Sequence, residues 1–145
     1  MNQRKFVVAP SEVETIMADW VTAKVIGGPN VSGASAMSAV ILFLDTGQGH
    51  ARHNHPESEQ FIFVISGQGE QMVEDKDGNP VIEPLRAGSL VTIPKGAFHS
   101  TFNTGWEPMR ILAIYSPPGP ERHMRESAEF QVLPAGKIPA RVAKT

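Results

Sequence analysis

The sequence predicts an all-β fold, a sandwich or barrel of short strands. Twelve prolines and thirteen glycines are scattered along 145 residues, and they punctuate short runs of valine, isoleucine and phenylalanine, as turns punctuate strands. A second observation is the pair His53-Asn54-His55. Its two imidazoles share a face if the backbone is extended, because strand side chains alternate with period two. A helix would send them to different faces.

Taken in order, residues 6–9 (Phe-Val-Val-Ala) read as a short strand. Ser11 and Glu14 carry capping-box spacing and open a helical turn toward Ala18. Residues 20–26 form a strand that ends at Gly27-Gly28-Pro29, and residues 35–44 form another, rich in β-branched and aromatic side chains. Gly47-Gln48-Gly49 turns the chain into the histidine strand, which runs through His55-Pro56. Residues 61–65 are nearly all apolar, as expected of a strand buried on both faces. Gly67 and Gly69 break it, and residues 70–74 return as a hairpin partner. Asp77-Gly78-Asn79-Pro80 marks the next turn. Strands follow over 81–84, 89–93, 98–102 and 109–115. Beyond Ser116-Pro117-Pro118 regularity falls away, with one or two helical turns within 123–130 and little to bury after 135. The division expected is one domain over 1–145: an N-terminal strand and helical turn (6–19), a barrel core (about 36–116) and an irregular tail (117–145). There is no internal repeat, so the chain carries one copy of any site.

Composition bounds the function. Hydrophobic content of 41% and charged content of 19% are ordinary for a soluble globular protein. A net charge of −2 leaves no basic footprint for nucleic acid. No apolar run approaches the ~18 residues of a membrane helix. Cysteine is absent, which excludes disulfides and thiolate metal sites. With no secretory-type apolar stretch near the start, the expected location is cytoplasmic.

The chemistry-bearing constellation is His53, His55, Gln60 and His99, the last within Pro94-x-Gly96-x-x-His99. Three imidazoles and one more polar group suit a first-row transition metal with an open position. Zinc, iron, nickel, manganese and copper all remain candidates. Coordination needs unprotonated rings, so affinity should fall below the ordinary histidine pKa of ~6.5.

The spacing resembles that of the cupin superfamily. Its first motif is a glycine, five residues, His-x-His, three or four residues, a glutamate, six residues and a glycine; here Gly47, His53, His55, position 60 and Gly67 fall on it. The second motif is matched at every position by Gly88, Pro94, Gly96, His99 and Asn103. The resemblance implies a single-domain jelly-roll β-barrel, the double-stranded β-helix, holding a divalent metal inside. The chain departs from the motif at Gln60, where the family usually has glutamate. Spacing to Gly67 selects Gln60 as the inward residue, whereas a bulge would present Glu59 instead. Some cupins use three histidines and one glutamine, among them sugar-acid processing enzymes and polyketide cyclases.

An amide oxygen cancels none of the ion's charge, which favours Lewis-acid chemistry. The resemblance therefore implies a metal-dependent isomerase, lyase or cyclase acting on a small oxygen-rich molecule: a sugar acid, keto acid or polyketide-like enol. A dioxygenase of the same fold and a non-catalytic small-molecule binding module are the alternatives. Glu59 and Tyr115 are candidate proton-transfer residues, with a rim charge the preferred reading of Glu59. Strand phase places His50 on the far side from His53, as a surface residue. His123 is read as part of a solvated run, with Arg122 and Arg125 as a second possibility for clamping a substrate carboxylate. Asn103 is structural. Small cupins commonly form homodimers, often by exchanging an N-terminal strand, and residues 6–9 are the candidate.

Overall fold

The structure, a computed structural model, describes residues 5–145. Two sheets face each other as a jelly-roll sandwich rather than a strictly closed barrel. One sheet has seven strands, in the order β11 (Gln131–Leu133), β1 (Thr15–Ala18), β2 (Val21–Gly27), β3 (Ser38–Leu44), β10 (Met109–Ser116), β5 (Glu59–Ser66) and β8 (Leu90–Ile93). The other has four, ordered β4 (Gly49–His53), β9 (His99–Phe102), β6 (Gln68–Glu74) and β7 (Pro80–Arg86). Every pairing is antiparallel. The single α-helix among the described residues, α1 (Pro120–Glu126), is too short to cross a membrane.

Period-two alternation builds the core. In β3, Val40, Leu42 and Leu44 point inward, and in β10 Met109, Ile111, Ala113 and Tyr115 do the same. Ile62 and Val64 of β5 and Ile93 of β8 complete the layer. Each fully buried branched side chain of this kind is worth about 1.5–3 kcal/mol. Apolar burial therefore fixes the strand phase, and strand phase decides which polar residues face inward.

The structure departs from the sequence expectations in several places, among them the tail, where β11 pairs with β1, and the histidine strand, which ends at His53. Residues 6–9 are not a strand: they have no sheet partner, and Phe6 and Val7 are exposed. The helical turn is a three-residue 3₁₀ turn, Pro10–Glu12, whose capping box runs from Ala9 to Glu12, two residues ahead of the expected one. There the Ala9 N–H donates to the Glu12 carboxylate at 2.7 Å, while Glu14 pairs with Arg125 at 2.9 Å. Thr15–Ala18 then becomes β1, because two flanking strands offer it ladder partners and its Ile16 a place in the core. Finally, β5 is buried on one face only: Gln60, Ile62 and Val64 face inward while Phe61, Phe63 and Ile65 are exposed.

Two tight approaches hold the site-bearing sheet. Asn103, itself buried, donates from its amide to the carbonyls of Leu44 and Glu107 at 3.0 and 2.7 Å and accepts from the Gly105 N–H at 2.9 Å. Gly49 lies so close to β9 that a Cβ there would meet the Thr101 carbonyl oxygen at 2.3 Å. Backbone cannot yield as a flexible side chain can. Gly49→Ala is therefore expected to destabilise the fold by about 1–3 kcal/mol, the usual range for overpacking. Urea unfolding would measure it, and an unchanged midpoint would contradict the packing described.

Candidate metal centre

Four elements converge at the inner face. β4 ends on His53, the loop after it carries His55, β5 presents Gln60, and β9 opens on His99. Register places His53 directly opposite His99. The loop is tied to the second motif by backbone: the Gly96 N–H donates to the His55 carbonyl at 3.0 Å, and the Asn54 amide donates to the Gly96 carbonyl at 3.2 Å.

The ligand atoms of His53, His55 and His99 all lie within 4.8 Å of one another. Ring orientation follows from local backbone contacts. Nδ1 of His53 lies 2.6 Å from the Ala51 carbonyl, and Nδ1 of His99 lies 2.9 Å from the Ala97 carbonyl. A carbonyl only accepts, so each Nδ1 carries the proton and each Nε2 keeps its lone pair. Nε2 of His55, Nε2 of His99 and Oε1 of Gln60 are buried with no hydrogen-bond partner. Buried polar atoms are ordinarily satisfied. Two ring nitrogens and an amide oxygen left unpartnered side by side are what a cation site presents, and the donor set fits a divalent transition metal.

Burial holds these rings neutral. Desolvation, reinforced by repulsion from the neighbouring imidazoles, lowers the pKa of His55 to about 3 and that of His99 to about 4. His53 is lowered by burial too, partly offset by its bond to Ala51.

The structure brings Gln60 and Tyr115 to the site and keeps Glu59 away from it. Gln60 and Tyr115 are register partners. Both line the small cavity, about 20 Å³, that they share with His53 and His99, and the Tyr115 ring meets His55 edge-on at 5.2 Å. Desolvation, with the charge of Glu121, pushes the Tyr115 phenol far above its usual range. It therefore stays protonated at neutral pH and does not serve as a base. Glu59 lies on the opposite, exposed face of β5. No carboxylate lines the small cavity among the described residues.

His50 is the residue that strand phase misplaces. It is half-buried, its ring stacked on His53 with centroids 3.5 Å apart and on Trp20 at 4.3 Å. The register between β4 and β9 slips between His50 and His53, leaving Ala51 and Arg52 both exposed. A bulge of this kind lets i and i+3 share a face. Nothing in the residue pattern marks it. The Trp20 indole donates to Glu129 at 2.7 Å, so the stack is braced from outside.

Arg122 and Arg125 do not join the histidines. They line a separate cavity of about 610 Å³ between the N-terminal segment and α1, and Arg125 is engaged by Glu14.

A cupin-domain family model matches residues 40–115, which contain every one of these inward side chains. Protein SchB of Streptomyces halstedii is 29% identical over 113 residues, covering 76% of this chain and 78% of that protein. A glucose-6-phosphate isomerase of Thermococcus onnurineus is 34% identical over 74 residues, 51% of this chain and 38% of the enzyme. Among solved structures, KdgF from Halomonas sp. superposes with a TM-score of 0.67 at 17% identity, covering 83% of this chain and 99% of that one. Oxalate decarboxylase from Bacillus subtilis superposes with a TM-score of 0.65 at 22% identity over 70% of this chain, which spans 26% of that enzyme. With the motifs, the jelly-roll topology and a matched family model in agreement, this chain belongs to the cupin family.

Proposed function

We propose that the protein is a metal-dependent enzyme working by Lewis-acid chemistry on a small, oxygen-rich substrate such as a sugar acid, keto acid or enol. The observation that carries this reading is the neutral donor set: three imidazoles within 4.8 Å and an unpartnered amide oxygen, with no carboxylate beside them among the described residues. A divalent metal held by His53, His55, Gln60 and His99 would supply polarisation of a substrate oxygen, undiminished by any anionic ligand.

The chain's own residues do the rest. The Ala51 and Ala97 carbonyls lock the tautomers of His53 and His99, the orienting role that outer hydrogen bonds play in metal sites. The Trp20–His50 stack covers His53 and keeps water from that side. The Tyr115 hydroxyl stays protonated in a dry setting and would donate a hydrogen bond to substrate oxygen. A relative named glucose-6-phosphate isomerase supports an oxygen-rich substrate class.

Three outcomes are expected. Gln60→Ala and His99→Ala should each weaken binding of a divalent ion at least ~10-fold, read by calorimetric titration. Binding should also survive well below pH 6.5. The sequence alone places its loss there, but burial lowers the pKa of His55 to about 3 and of His99 to about 4, and shifts His53 in the same direction. By the same linkage the unfolded chain takes up protons near pH 6.5 that the metal-free fold refuses. Its stability is then complete above about pH 7 and falls as pH drops from 6.5 toward 4, which thermal melts would follow; a flat profile would contradict the burial.

The activity test is turnover of a sugar-acid and keto-acid panel by the metal-loaded protein without oxygen. Tyr115→Phe should cost about 10²–10³ in kcat, as removal of one preorganised hydrogen-bond donor does. Turnover that consumes oxygen would favour the dioxygenase reading, and a panel bound but unchanged would favour a binding module.

A further inference from the structure

Protein interiors pack without large voids, yet a cavity of about 610 Å³ lies apart from the histidines and shares no lining residue with theirs. It occupies the β1–β2 end of the sandwich, where Ile16 and Val25 turn toward the core. Val8, Val13 and Val31 line it from the N-terminal segment and the loop after β2. The remaining wall is α1, and side chains fix it there. Arg125 reaches across to Glu14 at 2.9 Å. The buried Glu121 carboxylate accepts from the Ser38 hydroxyl at 2.8 Å and from the Gly119 N–H at 2.9 Å. The volume falls within the ~300–1,000 Å³ of small-molecule pockets, whereas the cavity at the histidines measures about 20 Å³.

Most of the charges around this cavity are already engaged. Lys5 pairs with Glu12 and Arg125 with Glu14. Glu121 has its two donors, and Glu126 lies close enough to Arg125 to stabilise that cation. Arg122 also lines the cavity, and it has no ionic partner among the described residues. A guanidinium offers a planar fork that matches a carboxylate. Behind it, the valines and Ile16 offer apolar surface that a hydrocarbon body would cover.

We propose that this cavity is a second ligand site, which binds a monocarboxylic acid with a hydrocarbon body. The carboxylate sits on Arg122 and the chain lies against Val8, Val13, Val25 and Val31. A sugar acid does not suit these walls: hydroxyls along its carbons would face aliphatic side chains and lose their hydrogen-bond partners. The site therefore differs from the histidine cluster in ligand class as well as in position. None of His53, His55, Gln60 and His99 lines it, so binding needs no metal.

Calorimetric titration of the full, metal-free chain with dodecanoate, kept below its micelle concentration, tests this. One molecule should bind per chain. Decanoate and octanoate should bind more weakly, by roughly four-fold for each methylene removed. Arg122→Gln should weaken dodecanoate at least ~10-fold, and Arg122→Lys should lose less. Val31→Asp and Val8→Asp should each abolish binding, with circular dichroism unchanged because neither side chain belongs to the core. Phe63→Glu, on the exposed outer face of β5, should leave binding as it is. No binding by the wild type would overturn the proposal. So would an affinity that ignores chain length, one indifferent to Arg122→Gln or to both aspartates, or one lost with Phe63→Glu.

Discussion

The site depends on two backbone carbonyls. By holding the Nδ1 protons of His53 and His99 at 2.6 and 2.9 Å, Ala51 and Ala97 leave both Nε2 lone pairs committed to the interior. Each carbonyl lies two residues upstream of its histidine, so the geometry is local and cheap. Burial adds the second condition: rings surrounded by apolar residues and by one another cannot afford a charge, and they remain ready ligands over a wide pH range. The histidine cluster and the hydrophobic core are one arrangement seen from two sides.

The same alternation that buries Val40, Ile62 and Ile111 points Gln60 and Tyr115 into the cavity and Glu59 out of it. One strand, β5, thus carries a site residue on its inner face and Phe61, Phe63 and Ile65 on its outer one. From sequence these residues read as a strand buried on both faces. In one chain the outer face is open, with Phe61, Phe63 and Ile65 all exposed.

The family motifs were legible because their spacing is rigid. Gly47 to Gly67 and Gly88 to Asn103 place His53, His55, position 60 and His99 without any knowledge of strand phase; period two lets only one of Glu59 and Gln60 face inward, and the spacing to Gly67 selects Gln60. What escaped reading depends on long-range pairing. His50 faces His53 only because the β4–β9 register slips between them, and no residue type announces that slip. Thr15–Ala18 reads as the continuation of a helical turn, yet β2 and β11 recruit it as a strand. Local capping signals lose to ladder hydrogen bonds when partners are available on both sides.

X-ray absorption at the K-edge of a bound divalent ion tests the central claim most directly. The account predicts a first shell of three imidazole nitrogens at about 2.0–2.1 Å for zinc, with added oxygen scattering from Gln60. A shell with fewer than three imidazoles, or one in which a carboxylate replaces the amide, would contradict it.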